Sequence, residues 1–235
     1  MKLNDVLDAL FPSGHAVTVE GNLAYGPAPC GSRTVAVIGV VNGAAVGLEE
    51  ILAFGDKLLA IMRDMPKAPI LMLVDNAGQR MALREELLAL PQYIANLIKL
   101  QDLARRKGHA LLTLVYGAAS AGGFIACGMC ADRVYALADA QTSVMNLKSI
   151  ARVTHMELAK LEELAKTVPV FAPGVNNLEK MGGLEAIWTG DLPARLAEAL
   201  DATPSGDGRA ALGKTRGGRT MARDVMERVE TAVLD

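Results

Sequence analysis

The chain has 235 residues and a formal net charge of −2, from 24 Lys and Arg against 26 Asp and Glu. This balance gives no reason to expect a nucleic-acid partner, and the length suits one large domain or two small ones. Hydrophobic residues make up 51% of the chain and aromatic residues only 4%, which predicts a dense aliphatic core and an apolar surface that a partner covers.

The first quarter of the chain predicts two helices and two strands. A short amphipathic helix over residues 4–11 and a strand over 16–20 precede a Gly- and Pro-rich segment, 21–32, which we predict to be a loop. Residues 34–41 are rich in β-branched side chains and predict a central strand. Apolar residues at helical spacing over 47–65 predict a helix that ends before the next proline.

Two short apolar runs then follow the same design. Residues 70–74 and 111–115 have the composition of strands buried on both faces of a parallel sheet, and a long helix over 87–107 separates them. Each run ends in a loop of small residues, at 75–78 and at 117–123. Open α/β sheets bind ligands at the carboxyl ends of their strands, so we expect the two loops to form a site.

The second loop has the residues of an oxyanion site. None of its side chains is larger than that of Ser120, and we predict that a buried helix begins near Gly122. The first N–H groups of a helix have no internal partner and carry the positive end of its dipole. The N–H groups of Ala121, Gly122 and Gly123 are therefore candidate donors to a developing oxyanion. Alternatively, the glycines serve only close packing of the helix on the strand, which the loop taken alone favours.

The remaining third of the chain is predicted to alternate helices and loops. Further elements are expected as strands at 133–137 and 142–145, helices at 146–166, 178–187, 193–200 and 220–234, and a loop at 168–177. Residues 201–219 are predicted to be a flexible, Gly-rich, basic loop. These elements predict one α/β domain spanning residues 1–235.

Two short motifs have weak structural context. Residues 208–215 match the phosphate-loop pattern GxxxxGKT, but no buried strand precedes them and glycines follow, so a basic loop is the better interpretation. Cys127 and Cys130 form a C-x-x-C pair without a second pair, which favours small core residues over a metal site. The sequence predicts no metal ligands.

Cysteine usage and the N-terminus indicate the compartment. The three cysteines form no disulfide framework, as is typical of a reducing cytoplasm. The first residues, MKLNDVLDALF, lack the apolar core of a signal peptide, so we expect a cytoplasmic protein. Residues 110–131 are uncharged and long enough to span a bilayer, but their glycines and strand-to-loop pattern argue against a membrane span.

Several segments resemble one family in order and spacing. PILMLVDNAG (69–78) resembles the strand and Asp-Thr-Pro-Gly loop of the carboxyltransferase subunits of biotin-dependent carboxylases. GAASAGG (117–123), Ala131-Asp132 and Val144-Met145-Asn146 resemble the GGAxxAMG, AD and VMG series of the same proteins. VPVFAPG (168–174) is most similar to the gamma subunit of biotin-independent malonate decarboxylase. Asn76-Ala77 stands where the family has Thr-Pro, and Asn146 where it has Gly.

The resemblance implies both a fold and an activity. The fold is a crotonase-like spiral of ββα units, equivalent to the C-terminal half of a biotin-dependent carboxyltransferase. The activity is that of a carbon–carbon lyase, a decarboxylase that releases CO2 from a malonyl thioester and leaves the acetyl thioester. The implied partners are a beta subunit, an acyl carrier protein with a phosphopantetheine-type arm, and an acyl carrier transferase subunit. No cofactor, biotin or metal is expected on this chain.

The resemblance and the loop chemistry together nominate site residues. We predict that the N–H groups of Gly122 and Gly123, with Ala77 and Gly78, are catalytic donors in a site shared with the beta subunit. The predicted substrate-binding residues are Asn76, Ala119, Ser120, Ala121 and Asn146. The donors hold either the thioester oxygen or the malonyl carboxylate, and the sequence does not decide between them.

Two other functions stay open at this point. A stand-alone crotonase-type acyl-CoA hydratase or isomerase would need a positioned carboxylate, for which Asp75, Glu85 and Glu86 are the candidates. A non-catalytic subunit would only complete the fold of a partner, and the high apolar content suits it. Catalysis by the isolated chain would single out the first of these.

Overall fold

One sheet organises the computed structural model, which describes residues 1–145, 147–168, 173–202 and 207–234. Within these ranges the strands are β1 (Thr18–Glu20), β2 (Leu23–Cys30), β3 (Arg33–Val46), β4 (Ile70–Gln79), β5 (Leu111–Ser120), β6 (Arg133–Leu137), β7 (Gln141–Ser143) and β8 (Ala186–Trp188). Their order is β1-β2-β3-β4-β5-β6-β8, with β7 paired to the end of β5. The β1–β2 and β2–β3 pairs are antiparallel, and every later pair is parallel.

Helices cover both faces of this sheet. They are α1 (Leu3–Leu10), α2 (Leu48–Asp64), α3 (Leu83–Leu87), α4 (Leu90–Arg106), α5 (Ala121–Phe124), a π-helix (Ile125–Met129), α6 (Leu147–Thr154), α7 (Leu158–Thr167), α8 (Val175–Lys180), α9 (Leu192–Asp201), α10 (Arg209–Thr215) and α11 (Ala222–Leu234). Helices α2, α4 and α5 share one apolar core with the sheet, and α1 and α9 share the other. No helix in the described part is both long and apolar enough to cross a membrane.

The parallel strands behave as their composition predicts. Along β4, the side chains of Ile70, Met72 and Val74 enter the core on the α2 side. Leu71 and Leu73 enter the core on the α1 side. A strand buried on both faces has a continuous run of apolar residues. The strand predictions at 34–41, 70–74 and 111–115 are confirmed.

The loop prediction for residues 21–32 is wrong, because β2 runs from Leu23 to Cys30 and pairs with β3 along its whole length. The two prolines misled the prediction. Only residues 23–25 of β2 also pair with β1, so Pro27 and Pro29 lie at the edge of the sheet beyond this ladder, where Ala16 N–H donates to the Pro27 carbonyl oxygen at 2.9 Å. Proline is tolerated at such edges because its missing N–H leaves no bond unmade.

Two predictions near the C-terminus also need correction. The helix predicted over 146–166 is two helices, α6 and α7, separated by a left-handed residue, His155, with φ of 56°. The helix predicted over 178–187 ends at Lys180, and its last residues belong to β8. A residue with positive φ cannot continue a right-handed helix, which explains the break between α6 and α7.

The segment predicted as a flexible basic loop, 201–219, contains helix α10. Residues 209–215 of the phosphate-loop look-alike form this helix, and the described residues directly before it, 207 and 208, are not part of a strand. The guanidinium of Arg216 anchors the segment, since it donates to the carbonyl oxygens of Glu179, Leu184 and Glu185 at 2.7–2.9 Å. Lys214 pairs with Asp224 in the same region at 2.5 Å. These basic side chains hold the fold together.

Candidate active site

The two small-residue segments predicted as loops meet at the carboxyl ends of β4 and β5, as expected, but they are not loops: residues 75–78 lie within β4, 117–120 within β5 and 121–123 in α5. The strands pair in simple register from Ile70 and Leu111 to Val74 and Val115, and the register then shifts. After the shift Asn76 pairs with Ala119, so β5 carries two more residues than β4 over this interval. Irregularities of this kind re-aim the residues that follow them, and they are common beside active sites.

Asp75 ties the loops together. Its Oδ1 accepts a hydrogen bond from the Ala118 N–H at 2.8 Å, and its Oδ2 accepts one from the Gly43 N–H at 3.1 Å. A side chain at Gly117 would place its Cβ 2.2 Å from Asp75 Oδ1, so the glycine makes room for the carboxylate. Both oxygens of Asp75 are therefore used to hold the ends of three strands.

Helix α5 begins directly on the first loop. A Cβ at Gly123 would lie 2.6 Å from the carbonyl carbon of Gly78, so the two glycines allow backbone-to-backbone packing. Gly78 itself has φ of +92°. Ala121 opens the helix with φ of 46°, an uncommon conformation for a residue with a side chain. Strained residues of this kind cluster at functional sites.

Two of the predicted backbone donors are engaged by carboxamides. Gly78 N–H donates to Asn76 Oδ1 at 3.1 Å, and Gly122 N–H donates to Gln79 Oε1 at 2.8 Å. Asn76 is fully buried, and its Nδ2 is a buried donor without a partner among the described residues. Ala77 is exposed at the mouth of the site. The Gly78 and Gly122 N–H groups are thus met by neutral carboxamides. The charged group of this edge, Asp75, is occupied by backbone N–H groups.

An apolar cavity of about 210 Å³ opens beside α5. It is lined by Ala121, Phe124, Ile125, Met129, Thr142, Ser143, Val144, Met145, Ile150, Pro173, Gly174, Leu178 and Met181. Strand β7 forms one wall, where Ser120 pairs with Ser143 and their Oγ atoms lie 3.3 Å apart. Thr142 Oγ1 is buried without a partner in the described ranges. Asn146, a predicted substrate-binding residue, lies outside the described residues.

The carboxylates considered as possible bases have structural roles instead. Glu85 is buried, accepts a hydrogen bond from the Leu48 N–H at 2.9 Å and pairs with Arg80 at 3.3 Å. Glu50, next to it, accepts from the Gly47 N–H at 2.9 Å and also binds Arg80. Asp75 is occupied by two backbone N–H groups, and Glu86 is exposed on α3.

The two cysteines of the C-x-x-C pair are poor nucleophiles. Burial raises the pKa of the Cys127 thiol to about 12, and burial also raises the pKa of Cys130. Thiols that stay protonated react slowly, so both side chains behave as small core residues. Within the described ranges, no three His, Cys, Asp or Glu side chains come close enough to hold a metal ion.

Gln79, Thr142 and Ser143 contribute to this edge and are absent from the sequence predictions. Gln79 could have been predicted as a site residue, because it is a polar residue directly after Gly78 at the end of a buried strand. The two β7 residues carried little signal, because their place depends on β7 pairing with the end of β5.

A comparison with protein families decides the relationship. The model of the malonate decarboxylase gamma subunit family matches residues 41–233. The chain belongs to this family. The resemblance seen in the sequence is thereby confirmed.

Known relatives of this gamma-subunit family member support the assignment. The chain is 32% identical over 176 residues to the malonyl-S-ACP:biotin-protein carboxyltransferase MADD of Malonomonas rubra. That alignment covers 68% of the chain and about 60% of the length of the curated relative. A chain of a Pseudomonas malonate decarboxylase hetero-tetramer in complex with coenzyme A superposes with a TM-score of 0.78 and 27% identity, over 95% of this chain and 97% of that one.

The fold is shared more widely. Transcarboxylase 12S superposes with a TM-score of 0.69 at 17% identity, over 85% of this chain and 40% of that chain. The prediction of a crotonase-like fold of the carboxyltransferase type is confirmed.

Proposed function

We propose that this chain is the gamma subunit of a malonate decarboxylase and forms part of its catalytic site. With a beta subunit it releases CO2 from a malonyl thioester on an acyl carrier protein and leaves the acetyl thioester. The observation that carries the proposal is that Gly122 N–H, at the start of α5 and beside the apolar cavity, donates to an oxygen, Gln79 Oε1, at 2.8 Å. Family membership supports it.

The reaction makes one demand that this edge can meet. The bond between the malonyl α-carbon and its carboxylate breaks, its electron pair moves onto the thioester as an enolate, and CO2 leaves. The α-carbon then takes up a proton. Backbone N–H groups that face the developing enolate oxygen lower the barrier, and losing one such donor typically costs about 2.7–4 kcal/mol.

The predicted residues take distinct parts in this proposal. Gly122 and Gly123, with Ala77 and Gly78, form the donor wall, in which the N–H groups of Gly78 and Gly122 hold the carboxamides of Asn76 and Gln79 in place. The residues proposed to bind substrate are Asn76, Ala119, Ser120, Ala121 and Asn146. Because Asn76 is buried, its part is to hold the Gly78 loop through Oδ1. The apolar cavity beside Ala121 suits the aliphatic part of a thioester arm.

An exposed apolar surface supports a site completed by a partner. Met81, Leu83 and Leu87 follow the first loop directly, and their side chains are 80%, 74% and 76% exposed. Large side chains grouped in this way mark interaction surfaces. A chain of the related Pseudomonas enzyme belongs to a hetero-tetramer. We assign this surface to the beta subunit, with the acyl carrier protein and the acyl carrier transferase as further partners.

The reaction is proposed to need no biotin and to take place in the cytoplasm. The three cysteines are free thiols, which suits a reducing compartment. Since the Malonomonas relative is named for transfer to a biotin protein, dependence on biotin is a direct test. We expect avidin to leave CO2 release unchanged, and inhibition by avidin would favour carboxyl transfer to biotin.

The first experiment measures CO2 release from a malonyl-thioester carrier protein, with this chain alone and after mixing with the beta subunit. We expect turnover only in the mixture. Turnover by the chain alone would favour a self-sufficient crotonase-type enzyme. In the assembled complex, Gly122→Pro removes one donor N–H in the first turn of α5, where no bond within the helix is lost. Unchanged turnover by that variant would favour a non-catalytic, structural subunit.

A further inference from the structure

Gln79 occupies a special position in this edge, at the last residue of β4 and between the two loops. Its Oε1 accepts the hydrogen bond from the Gly122 N–H at 2.8 Å. A Cβ at Gly122 would lie 3.0 Å from the same oxygen, so the glycine also leaves room for the carboxamide. The two residues are 43 positions apart in the chain, so the fold has brought them together.

This bond fixes the orientation of the carboxamide. An N–H group donates only to an acceptor, and the oxygen is the only acceptor that the side chain of Gln79 has. The Nε2 group is therefore turned away from this donor. Nothing in the described parts of the chain accepts a hydrogen bond from it, and Gln79 is only half-buried. Gln79 lies two residues after the exposed Ala77 at the end of β4, and its half-buried side chain retains access to solvent.

The bond to Gly122 also improves Nε2 as a donor. An amide that accepts a hydrogen bond at its oxygen is polarised and donates more strongly through its nitrogen. The same bond holds a flexible side chain in place before a substrate arrives. Donors that are oriented in advance stabilise developing charge without reorganising during the reaction.

The neutral carboxamide of Gln79 suits one substrate oxygen better than the other, and the nearby Asp75 carboxylate has both oxygens bound to backbone N–H groups. Arg80, the cation next to Gln79 in the chain, is bound by Glu49, Glu50 and Glu85. A cation on the malonyl carboxylate would stabilise the ground state, whose charge departs as neutral CO2. A neutral donor on the thioester oxygen gains strength only as the enolate forms, so it stabilises the transition state.

We propose that Gln79 is a catalytic residue whose Nε2 donates a hydrogen bond to the thioester oxygen as the enolate forms, while Gly122 N–H anchors it from behind. This inference rests on the proposed decarboxylase function and deepens it. The competing view is that Oε1 merely fills the place of the substrate oxygen and leaves when substrate binds.

The test compares Gln79→Met with the wild type in the assembled complex, using malonyl-thioester carrier protein. Met keeps the shape of the side chain and removes both hydrogen-bonding atoms. We expect kcat to fall by about 10²–10³-fold, with KM changed little, because the bond strengthens in the transition state. A kcat/KM equal to or above that of the wild type would overturn the proposal and favour the displaceable oxygen. Wild-type turnover tests the proposed function, whereas only the ratio between variants tests Gln79.

Gln79→Glu adds a readout that a merely structural role would not move. Its ionised carboxylate accepts from Gly122 N–H but donates nothing, whereas the protonated acid accepts and donates. The kcat of this variant relative to wild type should therefore rise as the pH falls from 7 towards the ordinary carboxyl pKa, about 4.3. Gln92→Glu, the same change at an exposed position in the first turn of α4, should show no such rise. A flat ratio for Gln79→Glu would count against donation from Nε2.

A double-mutant cycle tests the anchor. If Gly122 N–H acts through Gln79, the variant with both Gly122→Pro and Gln79→Met should lose no more kcat than Gln79→Met alone. Losses that multiply would show that Gly122 acts on the substrate independently, and would refute the anchoring role.

Discussion

Two helices begin at the carboxyl ends of strands in this sheet, and their first N–H groups are treated differently. At the start of α2, Gly47 N–H donates to Glu50 Oε2 and Leu48 N–H donates to Glu85 Oε2, both at 2.9 Å. At the start of α5, Gly122 N–H donates to the neutral carboxamide of Gln79. Both helices begin with N–H groups that have no partner within the helix, but only those of α2 are bound by charged side chains.

The first N–H groups at the start of α2 serve stability, whereas those at the start of α5 serve chemistry. The carboxylates at α2 are themselves held by Arg80, so each charge has a partner and the network is complete. Hydrogen bonds to ionised acceptors are about twice as strong as those between neutral groups. A ligand oxygen could not displace such a cap. The neutral cap at α5 leaves its own Nε2 free to bind and adds no charge that would repel an anionic substrate.

The largest expected effect is a loss of stability when a carboxylate that caps α2 is removed. Glu85→Ala leaves the Leu48 N–H without its acceptor and removes one of the carboxylates around Arg80. Because Arg80 keeps Glu49 and Glu50, the loss comes from the unsatisfied Leu48 N–H, and the free energy of unfolding should fall by about 3 kcal/mol. Urea denaturation of the isolated chain measures this as a lower midpoint. Glu86→Ala, at the exposed neighbour, should change stability by less than about 0.5 kcal/mol. Equal losses in both variants would show that the network does not stabilise α2.

A smaller effect distinguishes the two neighbouring glycines at α5. A Cβ at Gly123 meets the backbone of Gly78 at 2.6–2.9 Å, which cannot move without shifting the strand. Gly123→Ala should therefore cost about 1–3 kcal/mol of stability. A Cβ at Gly122 meets only the end of the Gln79 side chain, so Gly122→Ala should cost less than about 0.5 kcal/mol while displacing the carboxamide.

Denaturation and turnover, measured on both glycine variants, check this prediction together. We expect Gly123→Ala to lose stability first, and Gly122→Ala to lose kcat at nearly full stability. If Gly122→Ala is as unstable as Gly123→Ala, then the carboxamide is part of the packed core and is not an adjustable donor.

The parts that the sequence could predict are those that depend on local composition. Strands buried on both faces have continuous apolar runs, which is why β4 and β5 were predictable. Because parallel strands place their carboxyl ends at one edge, the meeting of the loops at Gly78 and Gly123 followed. Strand β2 was not predictable, since Pro27 and Pro29 are compatible with a strand only near a sheet edge, and they lie beyond the short β1–β2 ladder.

The hydrogen bonds of the site depend on register, which composition does not encode. Gln79 meets Gly122 because β5 gains two residues on β4 between Val115 and Ala119. In the same way, Glu85 is a candidate base by residue type alone. Its use as a cap for α2 depends on where α3 folds back, 37 positions along the chain. Residue types alone thus indicated that the site lies at the carboxyl ends of β4 and β5. Tertiary contacts determine which of its hydrogen-bonding groups remain available to a ligand.

The smallest expected effect comes from making the start of α5 like the start of α2. Gln79→Glu replaces a neutral acceptor with a carboxylate at the positive end of a helix, which should stabilise the chain by about 0.3–1 kcal/mol at neutral pH. The gain should shrink as salt is added, since partly exposed charges are screened. Gln141→Glu, the same change at an exposed position in β7, serves as the control and should gain nothing. Denaturation at low and high salt measures both variants. A more stable chain with a lower kcat would show that the neutral cap is kept for chemistry at the expense of stability, whereas a loss of stability would mean that the donors at α5 and α2 are not equivalent.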